Sequence, residues 1–390
     1  MISRRKVAIS VLFMVSLIIY CNDWTKYHAL PSSKNFFFWG KVQRLSELKF
    51  ISNDCPYLRS SETRRVASPS REINCLQTPL TLDDRVQYLP DQLVLGQKFA
   101  YVWYAASTPY LCSALTALKW LQNHRLKNPW PIKFHVDYIL MFVNKNLPGG
   151  VNNDLLGQWK LAGGLLKNMS SVVAAGPHPY YKATYQKFQA FKLIEYARAI
   201  FLDADGIPLK TLDHLFQIRL PSNITIAAPQ AYWFKNNGIL PGSPQLCPGV
   251  RHVTVTSALM LFKPSLELFE RVSQHFGTKK IASKKTNYDM DIVNKEFSCR
   301  DNIFILPKHY GTLDSEFCKD AQLFKRTGNC RYFPDTQYMH FSALGKPWTR
   351  GDAEARYYIS TFSYQVAVQL IEWQQAAQEM CPKVINALKL

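Results

Sequence analysis

Several things are scarce or missing in this sequence, and each absence removes a class of protein. No C-x-x-C and no Cys/His cluster has the spacing of a structural zinc site. No zinc-finger, homeodomain or RNA-recognition signature accompanies the basic residues, which are scattered along the chain, so nucleic acid is not the expected partner. No internal repeat is visible, which excludes solenoids and propellers. Acidic residues are few: 28 Asp and Glu against 47 Lys and Arg give a formal charge of +19. That excess calls for an anionic partner of another kind, such as a phosphorylated small molecule, an acidic polymer or an anionic surface.

The chain also lacks an apolar run of the usual membrane-spanning length. Its longest candidate, Val7 to Cys21, is mostly apolar but only about fifteen residues, and Arg4, Arg5 and Lys6 precede it. The small-x-small pattern preferred for signal cleavage is missing from "YCNDWTKYH". The expectation is therefore an uncleaved anchor at 7–21, a cytoplasmic tail at 1–6 and a lumenal remainder: a single-pass type II protein of an early secretory membrane, where thinner bilayers suit short spans. The acceptor tripeptides Asn168-Met169-Ser170 and Asn223-Ile224-Thr225 agree with a lumenal body. Of nine cysteines, eight fall beyond the anchor, in a compartment that permits disulfides, but their pairing is not readable from sequence.

Residues 22–97 read as a stem, with turn-rich "LPSSKN", "SSETRRVASPSRE" and "LPDQ" around an aromatic knot, "NFFFWG". From Lys98 the patterning changes. "KFAYVWYA" predicts a strand, "PYLCSALTALKWLQNH" a helix, "VDYILMFV" a strand, "NNDLLGQWKLAGGLLKN" a helix, "SVVAAG" a strand, "KATYQKFQAFKLIEYAR" a helix and "AIFLD" a strand. Such alternation implies an α/β domain over 98–390, with a mainly parallel sheet and helices on both faces. Further on, "ITIAAP", "VTVTSALMLF", "NIFIL" and "TQYMHF" predict strands. "TLDHLFQI", "SLELFERVSQHF" and "NYDMDIVNKEF" predict helices, and "GDAEARYYISTFSYQVAVQLIEWQQAAQEM" closes the chain as one or two more.

Chemistry gathers at "AIFLDADGIPL", where an apolar strand runs into Asp203 and Asp205. Carboxylates are costly to desolvate without compensation, and residues i and i+2 of a strand share a side, so the two converge on one oxygen-seeking divalent cation. Taken alone, a D-x-D is explained more simply by a cap or a turn. A parallel sheet nevertheless places this pair beyond the carboxyl end of a strand, where ligands bind in open α/β sheets. Four other patches draw notice. Lys187 and Lys192 precede this strand, although most lysines simply face water. Asp289 and Asp291 open a helix, where carboxylates also serve the dipole. His340 ends a strand with Lys346 six residues on, and a lone histidine there is more often packed than liganding. Gln230, Tyr232 and Trp233 offer a sugar-facing surface or ordinary loop packing.

In combination, "EYARAIFLDADG", "YDMDIVN" and "HFSALGKPW" resemble glycosyltransferase family 8, the glycogenin-like enzymes. "FAYVWYA", "PQAYW", "YDMDIVN" and "ILPKHYGTLDSEF" are similar to the fungal Golgi N-acetylglucosaminyltransferases within it, which modify mannose side chains of N-glycans. The resemblance covers roughly Lys98 to Trp348. It implies a single Rossmann-like nucleotide-sugar domain of the GT-A type, a UDP-sugar donor, Mn²⁺, and transfer that retains the anomeric configuration. Asp203, Asp205 and His340 match the metal ligands, Lys346 the lysine that grips the diphosphate, and Lys187 a lysine near the donor. Tyr104, Ala105 and Tyr110 match the uridine wall, and Asp289 and Asp291 the acidic pair at the transferred sugar, with Gln230 nearby. The implied activity is transfer of N-acetylglucosamine from UDP-GlcNAc to mannose of N-linked glycans at the Golgi membrane.

Two departures stand out against the family pattern. Ala343 occupies the glycine position of H-F-x-G-x-x-K-P-W, and Thr256 and Ala258 stand where many members have asparagine and glycine beside the sugar. Another UDP-hexose transferase, glucosyl or galactosyl, fits nearly as well. "IFLDADG" also looks like the nucleophile motif of haloacid dehalogenase-like phosphatases, but about a hundred residues of strand and helix precede it, where that motif opens its domain. An inactive lumenal scaffold is the remaining alternative, and the joint presence of Asp203, Asp205, His340 and Lys346 argues against it.

Overall fold

The computed structural model describes residues 88–388 except 91–93, 131–134, 173–182, 223, 232, 234–253, 277–288, 298–302, 317–335, 344 and 350–363. The expected anchor at 7–21, Tyr232 and the acceptor Asn223 lie outside the described residues. Among those described, no helix is long and apolar enough to cross a membrane.

In chain order the elements are β1 (Lys98–Ala105), α1 (Thr108–Lys127), β2 (His135–Phe142), α2 (Val151–Leu161), β3 (Leu165–Asn168), a 3₁₀ segment (Tyr185–Lys192), β4 (Arg198–Leu202), β5 (Gly206–Pro208) and β6 (Ile226–Pro229). Then follow β7 (Leu259–Phe262), α3 (Leu266–Ser273), α4 (Asp289–Phe297), β8 (Ile303–Leu306), β9 (Thr312–Leu313), β10 (Tyr338–His340), α5 (Tyr364–Met380) and α6 (Pro382–Leu388). Seven of these strands form one sheet in the order β3-β2-β1-β4-β7-β6-β8, and β5-β10-β9 form a second, smaller one.

The large sheet is mixed. β1–β2, β1–β4, β2–β3 and β6–β8 are parallel, but β7 runs antiparallel to both β4 and β6. The expectation of a mainly parallel sheet thus needs correction at β7, whose reversed direction brings its leading loop to the carboxyl end of β4. Helices cover both faces, and strand alternation shows why. Phe99, Tyr101, Trp103 and Ala105 of β1 join the core under α1, α2 and α5, whereas Ala100, Val102 and Tyr104 join the core under the 3₁₀ segment, α3 and α4. A strand buried on both sides needs an apolar residue at every position, which is why these strands read as unbroken apolar runs.

Other differences have local causes. The helix expected over "NNDLLGQWKLAGGLLKN" stops at Leu161, because Gly163 takes φ 79° and Gly164 donates its N–H back to Trp159 O at 3.0 Å. A Cβ on Gly164 would lie 2.1 Å from the Trp159 indole nitrogen, so the sharp exit requires glycine. The chain then enters β3, which pairs with β2; the strand expected at "SVVAAG" has Ser171 and Val172 in coil and its remainder outside the described residues. The helix predicted through "KATYQKFQAFKLIEYAR" is a 3₁₀ segment over Tyr185–Lys192. "VTVTSALMLF" is a strand only from Leu259, preceded by a bridge between Val255 and Gln230.

Ahead of β1, Tyr88 bridges Ile218, and Val94 is fully buried. At the other end α5 presents Val366, Leu370, Trp373 and Ala377 to the core at helical spacing, and Cys381 is joined to Cys112 of α1 by a disulfide. That bond spans a sequence separation of 269. Closing so long a loop limits the unfolded chain strongly, by about 3–5 kcal/mol on the chain-entropy account. Replacing Cys112 and Cys381 by serine is therefore expected to lower the melting temperature by several degrees or more; a melt indistinguishable from the parent chain would contradict this.

Candidate functional site

The chain leaves β1 outward through β2 to β3, then returns to place β4 on the other side of β1. The strand order thus reverses between β1 and β4, and a crevice opens beyond their carboxyl ends. A cavity of about 590 Å³ lies there, lined among others by Tyr104, Tyr110, Lys187, Asp203, Asp205, Trp233, Thr256, Ser257, Asp289, His340 and Lys346.

β4 ends at Leu202, so the two aspartates do not sit on a strand as expected; they occupy the turn between β4 and β5. Gly206 N–H donates to Asp203 O at 3.1 Å, which folds the turn and brings the carboxylates together. Asp203 N–H donates to Ala258 O at 2.8 Å, Phe341 N–H to Asp205 O at 2.9 Å, and the Tyr338 hydroxyl to Asp203 O at 2.8 Å. The turn is therefore fastened by β7 on one side and β10 on the other. β10 pairs antiparallel with β5, His340 opposite Gly206, and this register carries a histidine 135 residues away to the aspartates. His340 Nε2 lies 3.2 Å from Asp205 Oδ1 and 3.8 Å from Asp203 Oδ2, and one ligand atom from each of the three side chains falls within 4.8 Å of the others.

Two ammonium groups answer the carboxylates. Lys187, only 5% exposed, has Nζ 2.6 Å from Asp203 Oδ1 and 2.5 Å from Asp289 Oδ2. Lys346 Nζ donates to Asp205 Oδ2 and, at 3.3 Å, to Phe341 O. The electrostatics follow. Burial would raise the Asp205 carboxyl, but His340 and Lys346 outweigh it and hold the group well below the usual carboxylate range. Asp203 goes the other way, pushed up to about 6 by desolvation and by the neighbouring Asp205 and Asp289, with Lys187 and His340 opposing only in part. Lys187 loses some basicity to burial and regains more from Asp203 and Asp289, so its ammonium is firmly charged.

Two carboxylates and one imidazole, converging on one point, form the borderline oxygen/nitrogen donor set that suits a divalent ion such as Mn²⁺. The residues present fit that group.

The cavity gathers Tyr104, Tyr110, Lys187, Asp203, Asp205, Asp289, His340 and Lys346, but not every residue singled out from sequence. Ala105 is fully buried in the core. Gln230 bridges Val255 outside the lining, and Asp291, one helical step past Asp289, does not line the cavity either. Lys192 is exposed over the Phe269 ring at 3.9 Å, the ordinary fate of a lysine that Lys187 escapes. Ser257 was missed, and its hydroxyl donates to Asp289 Oδ2. So was Asn294, whose side-chain amide accepts from Val255 N–H and donates to Val255 O, both at 2.8 Å, clamping the loop that carries Thr256 and Ser257. The one available signal was the position of Asn294 within the quoted "YDMDIVN". Ala343 is exposed and outside the lining; its N–H donates to Asp314 Oδ1 at 3.0 Å, and Gly345, two residues on, takes φ 103°.

Fold and site together define a GT-A-like glycosyltransferase architecture with a mixed sheet. Residues 164–352 match the model of Glycosyl transferase family 8, and the resemblance read from the motifs is borne out over the stretch holding Lys187, Asp203, Asp205, Asp289, His340 and Lys346. Two fungal relatives bear the name Glucose N-acetyltransferase 1. That of Gibberella zeae is 28% identical over 275 residues, covering 66% of this chain and 55% of the relative. That of Aspergillus fumigatus is 27% identical over 280 residues, covering 67% and 68%. The match therefore spans little more than half the length of the first. Among solved structures, the bifunctional glycosyltransferase WbbM in its apo form gives a TM-score of 0.50 at 14% identity, covering 73% of this chain and 50% of that one, a likeness of fold alone.

The glycine of D-A-D-G has a steric reason. A Cβ on Gly206 would lie 2.0 Å from the Tyr338 hydroxyl and 2.3 Å from its Cζ, and Tyr338 is fully buried with no room to retreat. Gly206→Ala is expected to push β10 off β5, destabilise the chain by about 2–3 kcal/mol and move His340 from the aspartates. A variant with parental melting temperature and parental divalent-ion affinity would refute this account.

Proposed function

We propose that this chain is a Golgi N-acetylglucosaminyltransferase, a single-pass type II membrane protein with a lumenal catalytic body. It transfers N-acetylglucosamine from UDP-GlcNAc to mannose residues of N-linked glycans, with Mn²⁺ and with retention of configuration. One observation carries the transferase reading: Asp203, Asp205 and His340 converge at a sheet switch point, flanked by Lys187 and Lys346 in one cavity. The donor sugar is supported by the motif resemblance and by fungal relatives whose shared name joins glucose to an N-acetyl group.

Bound through Asp203, Asp205 and His340, a divalent ion supplies Lewis-acid stabilisation of a departing diphosphate. Lys346, already on the Asp205 side of the cavity, adds a positive charge where the β-phosphate charge develops. Tyr104 and Tyr110, at the carboxyl end of β1 and the start of α1, wall the side assigned to uridine. Asp289, joined to Asp203 through Lys187, stabilises the positive charge that grows on the sugar ring. Lys187 and Ser257 both contact its Oδ2, which fixes the carboxylate and leaves Oδ1 for a ligand. Asp289 rather than Asp291 is thus the acidic residue assigned to the sugar. In the retaining reaction the acceptor hydroxyl attacks from the leaving-group face, and no side chain is assigned as a covalent nucleophile.

Incubating the purified chain with Mn²⁺, a panel of UDP-sugars and a mannan-type acceptor tests the proposal: UDP release is expected with UDP-GlcNAc above UDP-glucose and UDP-galactose. Preference for another hexose corrects the donor. Phosphate release from simple esters without UDP release returns the phosphatase reading, and no binding of any UDP-sugar returns the scaffold. Asp205→Asn is expected to abolish metal-dependent transfer while keeping the fold, as judged by circular dichroism; a fully active variant removes Asp205 from the metal site. Lys346→Ala is expected to weaken UDP binding by about tenfold or more, the scale of one charge-assisted contact. Unchanged affinity by calorimetry would take Lys346 out of the donor site.

A further inference from the structure

The family match ends at residue 352, yet α5 and α6 lie beyond it and pack into the core behind residues that line the cavity. Trp373 of α5 is fully buried, and its indole N–H donates to Ser113 Oγ of α1 at 3.2 Å. Its ring lies 6.3 Å from that of Trp348, which meets the Tyr110 ring edge-on at 4.7 Å. Tyr110 lines the cavity, and Trp348 belongs to the short 3₁₀ turn Pro347–Thr349 that follows Lys346 directly. The Thr349 N–H and hydroxyl both donate to Lys346 O, at 3.0 and 2.8 Å, so the turn and the lysine backbone move as one unit. Directly after α5, Cys381 is bonded to Cys112, next to Ser113 on α1.

We propose that the C-terminal helices are a positioning device for the donor: Trp373, locked to α1 by Ser113 and by the Cys112–Cys381 disulfide, holds Trp348 against Tyr110 and so sets where the Lys346 ammonium meets a nucleoside diphosphate. The inference deepens the donor reading above and rests on it. Its physical basis is reach. Lys346 is itself only partly buried, at 25% side-chain exposure, and its polar contacts are with Asp205 and Phe341 O, whereas Trp348 and Trp373 behind it are buried and give its backbone a fixed mount. Without Trp373 the stack loses its back wall, Trp348 and Tyr110 gain room, and the lysine samples positions away from the diphosphate. Trp373 touches no reacting group and is a positioning residue.

The test uses the full chain and UDP with Mn²⁺ as probe, titrated by calorimetry well below the melting temperature of each variant. Trp373→Ala is expected to weaken UDP binding by about tenfold, with the donor KM rising more than kcat falls, and Trp373→Phe is expected to restore affinity to within about threefold by refilling most of the wall. Lower thermal stability with UDP affinity within twofold of the parent would overturn the proposal, since a merely structural tryptophan gives that result. Should Trp373→Ala fail to fold, the paired Cys112→Ser and Cys381→Ser chain decides: weaker UDP binding supports the proposal, and parental affinity overturns it. A parent chain that binds no UDP overturns the donor reading and this inference with it, an outcome distinct from parent and variants binding alike.

Discussion

Three carboxylates share the floor of one cavity, and the rest of the structure is arranged around the cost of keeping them there. Among the described residues, Asp203, Asp205 and Asp289 are answered by two ammonium groups, Lys187 and Lys346, with His340 beside the first pair. Breaking a buried pair by removing one partner costs about 3–5 kcal/mol, so the buried Lys187 is a condition of the fold as well as a part of the site. The residual negative charge favours a divalent cation, and once that charge is met the same lysines favour a diphosphate.

Topology decides where that floor lies. The reversal between β1 and β4 opens a crevice, the antiparallel β7 delivers the Thr256–Ala258 loop to it, and the β5–β10 pairing delivers His340. The Thr256–Ala258 loop and β10 both lie far along the chain from the turn between β4 and β5 that they meet. Their convergence depends on close backbone approaches, of which Gly206 against Tyr338 is the tightest at the site. A buried apolar strand such as β4 is then a mount: with Ile200 and Leu202 packed on one face and Ala199 and Phe201 on the other, its end cannot shift, and the turn carrying the aspartates inherits that rigidity.

Much of this was legible in the sequence, for reasons that differ by residue. Strands with both faces buried are apolar throughout, so β1, β2 and β4 announce themselves. Asp203 and Asp205 were legible as candidates because carboxylates at the end of such a run demand compensation. The reason offered was wrong in detail: they converge through a turn, not through strand alternation. Lys187 was visible only through a motif resemblance, since nothing local distinguishes it from Lys192, and only the tertiary fold buries one and exposes the other. The antiparallel direction of β7 left no mark, because a four-residue apolar run reads the same either way. Glycines at 163 and 164 were read through as helix, although a pair of glycines is itself a stop signal. The contributions of Ser257, Asn294 and Trp373 depend on partners 32, 39 and 260 residues away, beyond any local pattern.

The departures from the family pattern fall where the site can absorb them. A glycine replaced by alanine matters when the position needs φ > 0 or lets another chain come close. Residue 343 is exposed and outside the cavity lining, and its backbone N–H is held by the fully buried Asp314. The methyl therefore does not crowd the cavity. Thr256 is different, because it lines the cavity wall. Its Oγ1 accepts from Ala258 N–H at 3.2 Å, and its Cγ2 lies where a Cβ on Gly311 would come within 3.1 Å. Threonine there is seated against a glycine that makes room for it, and its hydroxyl closes the turn that also accepts from Asp203. The substitution changes the cavity wall while leaving the carboxylate floor intact, so variation in what the cavity accepts is separable from the cluster of Asp203, Asp205 and His340.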